Sequence, residues 1–333
     1  MAVDSVGNVF VTDYWNHRVQ KFTAEGTYLI KWGSKGKGDG QFYGPRGVAV
    51  GPDSNVYVTD TVNNRIQRFT ATGAFLTRWG NRQGNRPHGI AVDDDGNVYV
   101  TSPSIDVWWT LSSWHRIQKF TDDGGFLAGW GFHGTGDGQT RWASGVAVGS
   151  NVYVADTYNH RLQKFTTDGA FLAKWGSEGN GDGQFDEPTG IAVGPDGSVY
   201  VADARNHRIQ KFTTDGVFLA KWGSYGDGDG EFKYPRDVAV DSDGNIYVAD
   251  TSNHRIQKFI GDGLFLTKWG SYGISDGQFM SPKGVAVGLN DWIYVADVSN
   301  HRIQVFGKPS APTPTPSPTY KIYLPIVIKN LSK

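Results

Sequence analysis

The stretch NIYVADTSNHRIQKF, residues 245–259, decides the fold because its parts recur along the whole chain. Its first half is a short apolar run that ends in a polar residue. Related runs are NVFVTD (8–13), NVYVTD (55–60), NVYVTS (97–102), NVYVAD (151–156), SVYVAD (198–203) and WIYVAD (292–297). Most copies are 47 residues apart, as from Asp203 to Asp250 and from Asp250 to Asp297. A period in the forties that contains only short β segments is typical of propeller blades.

Each repeat unit contains four predicted strands, which we name a to d in chain order. Strand a is an apolar run such as GIAVD (89–93), and a turn such as DSDGN (241–245) joins it to strand b, the VYVAD run. Asp-Gly and Gly-Asn supply the backbone freedom that tight hairpins need. Strand c is RIQKF, and strand d is FLxKWG with a tryptophan at 32, 79, 130, 175, 222 and 269. We expect these tryptophans to pack between neighbouring blades.

Two further patterns identify a family. They are the Asn-His-Arg triplet after strand b (16–18, 159–161, 206–208, 253–255 and 300–302) and the loop GDGQFxxPxG (38–47 and 181–190). Together they resemble the NHL repeat family, and the resemblance implies a β-propeller, most often with six blades. The sequence contains seven copies of strands a, b and c but six copies of strand d. We predict an all-β propeller of four-stranded blades and prefer seven blades, with six blades and a spare unit as the alternative.

The composition changes after the last repeat. We predict a propeller over residues 1–306, a Pro/Thr/Ser linker over 307–319 and a β-prone tail over 320–333. The linker composition is typical of an extended spacer. The tail is either the missing outer strand of the last blade or a segment similar to a C-terminal signature of secreted bacterial proteins. Linker and tail favour an extracellular or cell-surface location, and the start inside a repeat suggests a trimmed N-terminus.

Bulk properties exclude several classes of protein. The 333 residues carry a net charge of -1, so the basic excess of a nucleic-acid binder is missing. The absence of cysteine excludes disulfide scaffolds and cysteine-bound zinc. No apolar run reaches the roughly 20 residues of a membrane helix. We expect no nucleic-acid partner, no transmembrane segment, no cofactor and a monomeric protein.

The repeated polar residues are interpreted as structural. Six of the eight histidines occupy one position of the repeat: 17, 115, 160, 207, 254 and 301. A catalytic constellation is normally unique, so a residue repeated in each blade performs the same task in each blade. We expect Asp, His and Arg to tie the b–c turn to neighbouring strands by charge-assisted hydrogen bonds. The GDGQF loops lack the ordered ligand series of a calcium site and are predicted to be turns.

Function on a repeat scaffold is sought where the repeat is broken. One variable position lies before the glycine that opens strand a, in the P-x-G motif. Its residues are Arg46, His88, Ser144, Thr189, Arg236 and Lys283. Their position predicts a positively charged mouth of the central channel, suited to an anionic ligand. The alternative is that these side chains extend into solvent or pair with the aspartates of strand b.

The third repeat unit contains the other deviations. Residues 102–116 include an insertion with Trp108, Trp109 and Trp114, and the loop before this unit lacks GDGQF. Trp142 follows in RWASG, and the two histidines outside the repeated position, His88 and His133, flank the unit. A retracted loop beside an extended one predicts an aromatic groove, since exposed tryptophans stack on sugars or anchor protein partners. The alternative is that the inserted tryptophans cover the gap left by the short loop.

These observations predict a non-catalytic binding propeller for a glycan, an anionic small molecule, a polymer or a protein partner. The candidate ligand-binding residues are Trp108, Trp109, Trp114, Trp142, His88, His133, Arg46, Arg236 and Lys283. A purely structural role is a further possibility.

The alternative from another class is an enzyme. NHL-like propellers include peptidyl-hydroxyglycine lyases, which use a channel metal held by several histidines, and the resemblance places one such ligand at His88. The equivalent positions here carry Arg46, Ser144, Thr189, Arg236 and Lys283. One histidine does not build a catalytic zinc site, which needs about three protein ligands. We therefore predict no catalytic residue and no metal.

Overall fold

The computed structural model describes residues 1–80, 86–102, 117–288, 291–300 and 302–307. Within these residues, strands β1 to β27 form seven antiparallel sheets, and each sheet follows chain order from strand a outwards. Each sheet is one blade, so the prediction of seven blades is confirmed. Six blades have four strands, and the described part of blade 7 has three. The predicted linker and tail, from residue 308 on, lie outside the described residues.

The strand bounds follow the repeat. Blade 1 contains β1 (Ala2–Val3), β2 (Val9–Asp13), β3 (Arg18–Phe22) and β4 (Tyr28–Trp32); blade 2 contains β5 (Pro45–Val50), β6 (Val56–Asp60), β7 (Arg65–Phe69) and β8 (Phe75–Trp79). Blade 3 contains β9 (Ile90–Val92), β10 (Val98–Thr101), β11 (Ile117–Phe120) and β12 (Phe126–Trp130); blade 4 contains β13 (Ala143–Val148), β14 (Val152–Asp156), β15 (Arg161–Phe165) and β16 (Phe171–Trp175). Blade 5 contains β17 (Pro188–Val193), β18 (Val199–Asp203), β19 (Arg208–Phe212) and β20 (Phe218–Trp222). Blade 6 contains β21 (Pro235–Val240), β22 (Ile246–Asp250), β23 (Arg255–Phe259) and β24 (Phe265–Trp269); blade 7 contains β25 (Pro282–Val287), β26 (Ile293–Asp297) and β27 (Arg302–Phe306). Short 3₁₀ turns follow strand b at Thr157–Asn159, Thr251–Asn253 and Val298–Asn300.

The tryptophan of strand d joins one blade to the next, as the sequence predicts. Trp175 of blade 4 lies 6.1 Å from Phe212 of blade 5, between ring centroids. It also covers Gly216, in the c–d turn of blade 5, where a Cβ atom would lie 2.6 Å from the indole. Gly216 has a φ of +82°, so the turn requires glycine for its backbone and for the close approach of the ring.

The core lies between the blades. The cluster that joins blades 4 and 5 contains Tyr153, Leu162 and Val201, together with Phe185 from the loop between the blades. Phe185 is fully buried. The d–a loops with Phe42, Phe185, Phe232 and Phe279 each contribute this buried side chain to the core, although most of their backbone lies at the surface.

A cluster of four polar residues in blades 2, 4, 5, 6 and 7 holds the preceding d–a loop, and we call this cluster the clamp. In blade 6 the clamp is Asp250, Asn253, Arg255 and Gln257. Arg255 Nε donates to Asp250 Oδ2 at 2.7 Å, and Asn253 Nδ2 donates to the same oxygen at 2.9 Å. These contacts fix the guanidinium with its two Nη groups facing the loop.

The loop supplies its backbone to this clamp. The Nη groups of Arg255 donate to the carbonyl oxygens of Asp227, Gly228 and Glu231 at 2.6–2.8 Å. Gln257 donates to the carbonyl oxygen of Glu231 at 2.6 Å. The side-chain oxygen of Gln257 accepts the N–H of Gly230 at 3.0 Å. Equivalent contacts are made by Arg65 and Gln67, Arg161 and Gln163, Arg208 and Gln210, and Arg302 and Gln304.

The repeated histidine has a structural role of its own. His254 adopts a left-handed conformation, with φ at +56°, and its Nδ1 accepts the N–H of Ser281 at 3.0 Å. His17, His160 and His207 accept a backbone N–H of the next loop in the same way. The expectation that Asp, His and Arg fix the b–c turn is confirmed for these blades, while His115 and His301 lie outside the described residues.

The clamp predicts a large and local effect on stability. Arg255→Ala leaves the buried Asp250 without its cation, and breaking a buried ion pair typically costs about 3–5 kcal/mol. Chemical denaturation measures this loss in the free energy of unfolding. Lys268→Ala is the control, because Lys268 of β24 and Asp229 of the same d–a loop form an exposed pair, and such pairs contribute under about 1 kcal/mol. Equal losses for the two variants would contradict the structural role of the clamp.

Candidate functional site

The six variable residues of the P-x-G motif form a ring at one end of the central channel. Strand a places them there, because its first residues pack against the same residues of the next blade. A Cβ atom on Gly47 would lie 2.3 Å from the carbonyl oxygen of His88. Thr189 Oγ1 donates to the carbonyl oxygen of Arg236 at 2.9 Å. We call this ring the mouth; its members are Arg46, His88, Ser144, Thr189, Arg236 and Lys283.

A cavity of about 690 Å³ opens at the mouth. Four mouth residues line it, namely Arg46, His88, Ser144 and Lys283. The cavity extends outwards between blades 7 and 1. There its lining includes Tyr14, Trp15, Gln20, Phe22 and Ile303.

Three cations of the mouth have no acidic partner among the described residues. Arg46, Arg236 and Lys283 are exposed, and none of them forms an ion pair there. The aspartates that end strand b are bound by the clamp arginines instead, as Asp250 is by Arg255. Among the described residues the mouth cations do not pair with these aspartates, and their exposure agrees with the other half of the alternative, that they extend into solvent. The mouth combines three unpaired positive charges in a protein of net charge -1.

Arg46 has an aromatic support. Its guanidinium lies 4.9 Å from the ring centroid of Tyr14. Tyr14 contacts Trp15 edge to face at a centroid distance of 4.9 Å, and Trp15 is 73% exposed. The contact holds the cation at the rim of the cavity with its donors accessible.

His88 and Trp142, two of the candidate ligand-binding residues, lie together. Their rings meet edge to face at a centroid distance of 6.3 Å, and Trp142 packs on Tyr158 at 5.5 Å. Burial, together with the smaller effect of the neighbouring Arg46 and Arg86, lowers the pKa of His88 to about 4. His88 is therefore neutral at pH 7, with one ring nitrogen as donor and the other as acceptor.

The other predicted residues are placed differently. His133 lies on the exposed loop between β12 and β13, where it forms a bridge with Thr140. Trp108, Trp109 and Trp114 lie outside the described residues, as does the shortened loop at 81–85. The aromatic groove of the third unit stays a prediction.

Sequence analysis missed Tyr14 and Trp15 as site residues. A signal was present, because Trp15 stands where the other units have Val62, Tyr158, Arg205, Ser252 and Ser299. Asp237 was also missed, although it replaces the glycine of the P-x-G motif in blade 6. Asp237 Oδ2 accepts the N–H of Val285 from blade 7 at 3.0 Å. Burial raises the pKa of Asp237 to about 6, since the backbone donors compensate only in part for lost solvation.

Within the described residues, no group of three or more histidine, aspartate, glutamate or cysteine side chains could hold a metal ion. The same part of the chain contains no helix that is long and apolar enough to cross a membrane.

Comparisons with known proteins agree with this architecture. The model of the NHL repeat matches residues 1–22, 42–69, 140–165, 185–212, 232–259 and 279–306. A model of a β-propeller repeat matches residues 82–104, at the third unit. A search of curated protein sequences finds no significant match.

Several solved structures have a similar fold. Virginiamycin B lyase from Staphylococcus aureus with quinupristin is 17% identical, over 88% of this chain and 89% of that chain, with a TM-score of 0.65. A functionally unknown protein from Desulfotomaculum acetoxidans is 14% identical over 90% and 92%, with a TM-score of 0.67. Kuenenia stuttgartiensis hydrazine synthase is 13% identical over 93% and 95%, with a TM-score of 0.66. At these identities the likeness concerns the fold alone.

Asp237 predicts a pH-dependent difference in stability. Its folded pKa of about 6 lies above the ordinary value of 3.8. The stability that the protonated carboxyl group contributes is therefore fully present below pH 3.8. It is lost as the pH rises through 6, because the carboxyl group ionises less readily in the folded protein than in the unfolded chain. Asp237→Asn still offers an oxygen to Val285 but does not ionise. The melting temperature of this variant, minus that of the unsubstituted protein, should rise between pH 3.8 and 6 and then level off.

Thermal unfolding followed by circular dichroism from pH 3.5 to 8 measures this difference. Asp94→Asn, in the exposed turn before β10, serves as the control for removing a carboxyl group. If the difference in melting temperature between Asp237→Asn and the unsubstituted protein falls with rising pH, burial does not raise the pKa of Asp237 and this account of the carboxylate is contradicted.

Proposed function

The chain is a β-propeller of the NHL repeat family, and from this premise we propose that it is a non-catalytic binding protein for an anionic ligand. The ligand is a small acid that carries a sugar or aromatic ring, held in the cavity at the mouth. The observation that carries the proposal is the position of Arg46, Arg236 and Lys283 in one ring, exposed and unpaired among the described residues, with Arg46 and Lys283 lining the cavity.

The charges favour an anion for a physical reason. Because no acidic side chain among the described residues pairs with the three cations, a ligand carboxylate, sulfate or phosphate can bind them without first breaking an internal ion pair. A guanidinium presents donors in a fork that matches such groups at two points, whereas an ammonium acts as a point charge. Arg46 is held in place by Tyr14. Less side-chain entropy is therefore lost when it binds.

The remaining lining supports a ring-bearing ligand. Trp15 is 73% exposed beside the cavity, and an exposed indole face stacks on sugar and aromatic rings. Neutral His88 supplies one donor and one acceptor to orient polar substituents. A volume of about 690 Å³ is within the usual range for small-molecule sites.

The residues of the mouth favour binding over the lyase chemistry of some structural neighbours. His88 is the one histidine of the ring, and its counterparts are Arg46, Ser144, Thr189, Arg236 and Lys283. These side chains supply positive charge and hydroxyl groups but no second neutral nitrogen ligand, and the nearby carboxylate of Asp237 accepts the N–H of Val285.

Calorimetry with a panel of probes tests the proposal. The panel is trigalacturonate, a heparin disaccharide and 4-nitrophenyl phosphate, with maltotriose as a neutral comparison. We expect at least one anion to bind, with an affinity that falls as salt screens the charges. The double variant Arg46→Ala, Lys283→Ala should weaken binding at least tenfold.

Lys31→Ala is the control, because Lys31 is an exposed cation on the outer strand of blade 1. Binding of maltotriose as tight as that of the anions, or no binding of any anion, would overturn the proposal. The same assay with Trp108→Ala and Trp109→Ala tests the sequence prediction that the inserted tryptophans contribute to the site.

A further inference from the structure

The loop between blades 5 and 6 presents two exposed tyrosines that pack on one histidine. Tyr225 is 66% exposed, and its ring lies 5.0 Å from the ring of His207, between centroids. Tyr234 is also exposed, and its ring meets the same imidazole edge to face at 4.7 Å. We call the group of Tyr225, Tyr234 and His207 the aromatic corner.

The aromatic corner is a departure from the repeat. Among the described residues, the position of Tyr225 is otherwise occupied by Lys35, His133, Glu178 and Tyr272. The position of Tyr234 is otherwise occupied by Gly44, Arg86, Trp142, Glu187 and Ser281. In the part of the chain that the structure describes, one loop alone therefore has tyrosine at both positions. Function on a repeat scaffold is expected at such departures.

Tyr234 adopts a backbone conformation that is unfavourable for a bulky residue. Its φ is +52°, in the left-handed region, and the equivalent Gly44 has a φ of +62°. Glycine makes this turn without the steric cost that a side chain brings. The fold therefore does not require a tyrosine here, and strained residues of this kind cluster at ligand-binding and active sites.

The surrounding fold holds the aromatic corner in one arrangement. His207 Nδ1 accepts the N–H of Tyr234 at 3.1 Å, which fixes the loop against the b–c turn of blade 5. Tyr225 forms a β-bridge with Phe232, which is fully buried, and Arg255 binds carbonyl oxygens of the residues between them. Little backbone entropy therefore remains to be lost when a ligand binds.

A pair of opposite charges borders the exposed rings. Lys233 Nζ lies 5.5 Å from the ring centroid of Tyr225 and 3.8 Å from a carboxylate oxygen of Asp227. The two charges neutralise each other, so the corner offers donors and acceptors without a net charge. An exposed aromatic face with such polar neighbours suits an uncharged sugar, whose ring stacks while its hydroxyl groups form hydrogen bonds.

We propose that the aromatic corner is a subsite for a neutral sugar, so that the ligand at the mouth is an acidic oligosaccharide in which charged and neutral sugars are joined. This inference rests on the proposed function and adds the chemical class of the ligand. The acidic sugar binds the cations of the mouth, and the neutral sugar stacks on Tyr225 and Tyr234. The two subsites adjoin at blade 6, where Arg236 of the mouth follows Tyr234 by two residues.

Calorimetry with the full chain tests this assignment. It compares glucuronate with tetrasaccharides of hyaluronan and of unsulfated chondroitin, in which glucuronate alternates with a neutral amino sugar. We expect at least one tetrasaccharide to bind at least tenfold more tightly than glucuronate. Tyr225→Ala and Tyr234→Gly should each remove most of this gain. Both variants should leave the affinity for glucuronate unchanged, because the cations of the mouth are intact.

The repeat provides a matched control in Tyr272→Ala. Tyr272 is the equivalent residue of the next loop, is 64% exposed and lies 4.9 Å from the ring of His254, but Ser281 stands in place of a second tyrosine. Its replacement should leave the affinity for all probes unchanged. Tyr234→Gly keeps the test independent of misfolding, since Gly44 occupies the same position, and circular dichroism verifies that the variant is folded.

Three results would overturn this inference while the proposed function stands. They are equal affinities for glucuronate and both tetrasaccharides, an equal loss of affinity in Tyr272→Ala and Tyr225→Ala, and a loss of glucuronate binding in Tyr225→Ala. In each case salt-sensitive binding of an anion would still support the mouth as an anion site. If no anion binds at all, the proposed function fails and this inference fails with it.

Discussion

One interaction recurs in blades 2, 4, 5, 6 and 7: a largely buried arginine neutralises the aspartate of its own blade and binds the loop that comes from the preceding blade. Asp250 is fully buried, and burial raises its pKa, so the ionised form depends on Arg255 and on the N–H donors around it. The same guanidinium satisfies three carbonyl oxygens of a glycine-rich loop, which has few side chains of its own to hold its shape. The clamp thus couples the electrostatics of one blade to the backbone of its neighbour.

This arrangement explains why the conspicuous polar residues are not functional candidates. In blades 4, 5 and 6 the four clamp residues and the repeated histidine use their hydrogen-bonding capacity within the fold. The residues available to a ligand are those that differ from blade to blade. At the mouth these differences add positive charge at Arg46, Arg236 and Lys283, and at the side of the cavity they add the exposed ring of Trp15.

The repeats made most of the fold predictable. The strands, the turn glycines and the position of the mouth residues before strand a could be predicted from the repeated pattern. Each copy of the pattern supports the same assignment in the other copies. The features that the sequence could not supply are those without a sister copy. Asp237 is the only acid in the P-x-G glycine position, and its half-buried state depends on how blades 6 and 7 approach each other. The insertion with Trp108 has no counterpart in another unit from which its geometry could be taken. Counting strands indicated that the last outer strand is missing or supplied from elsewhere, and in the described part of the chain the sheet of blade 7 ends at β27.

Amide hydrogen exchange tests the central role of the clamp most directly. Gly183 donates its N–H to the buried side-chain oxygen of Gln210 at 3.0 Å, so this surface loop should exchange slowly in the unsubstituted protein. Exchange followed by mass spectrometry should accelerate at least tenfold over residues 177–187 in Gln210→Ala, and stay unchanged over residues 224–232. If the 177–187 loop already exchanges at the rate of a free peptide before substitution, the clamp does not hold the loops and the account is contradicted.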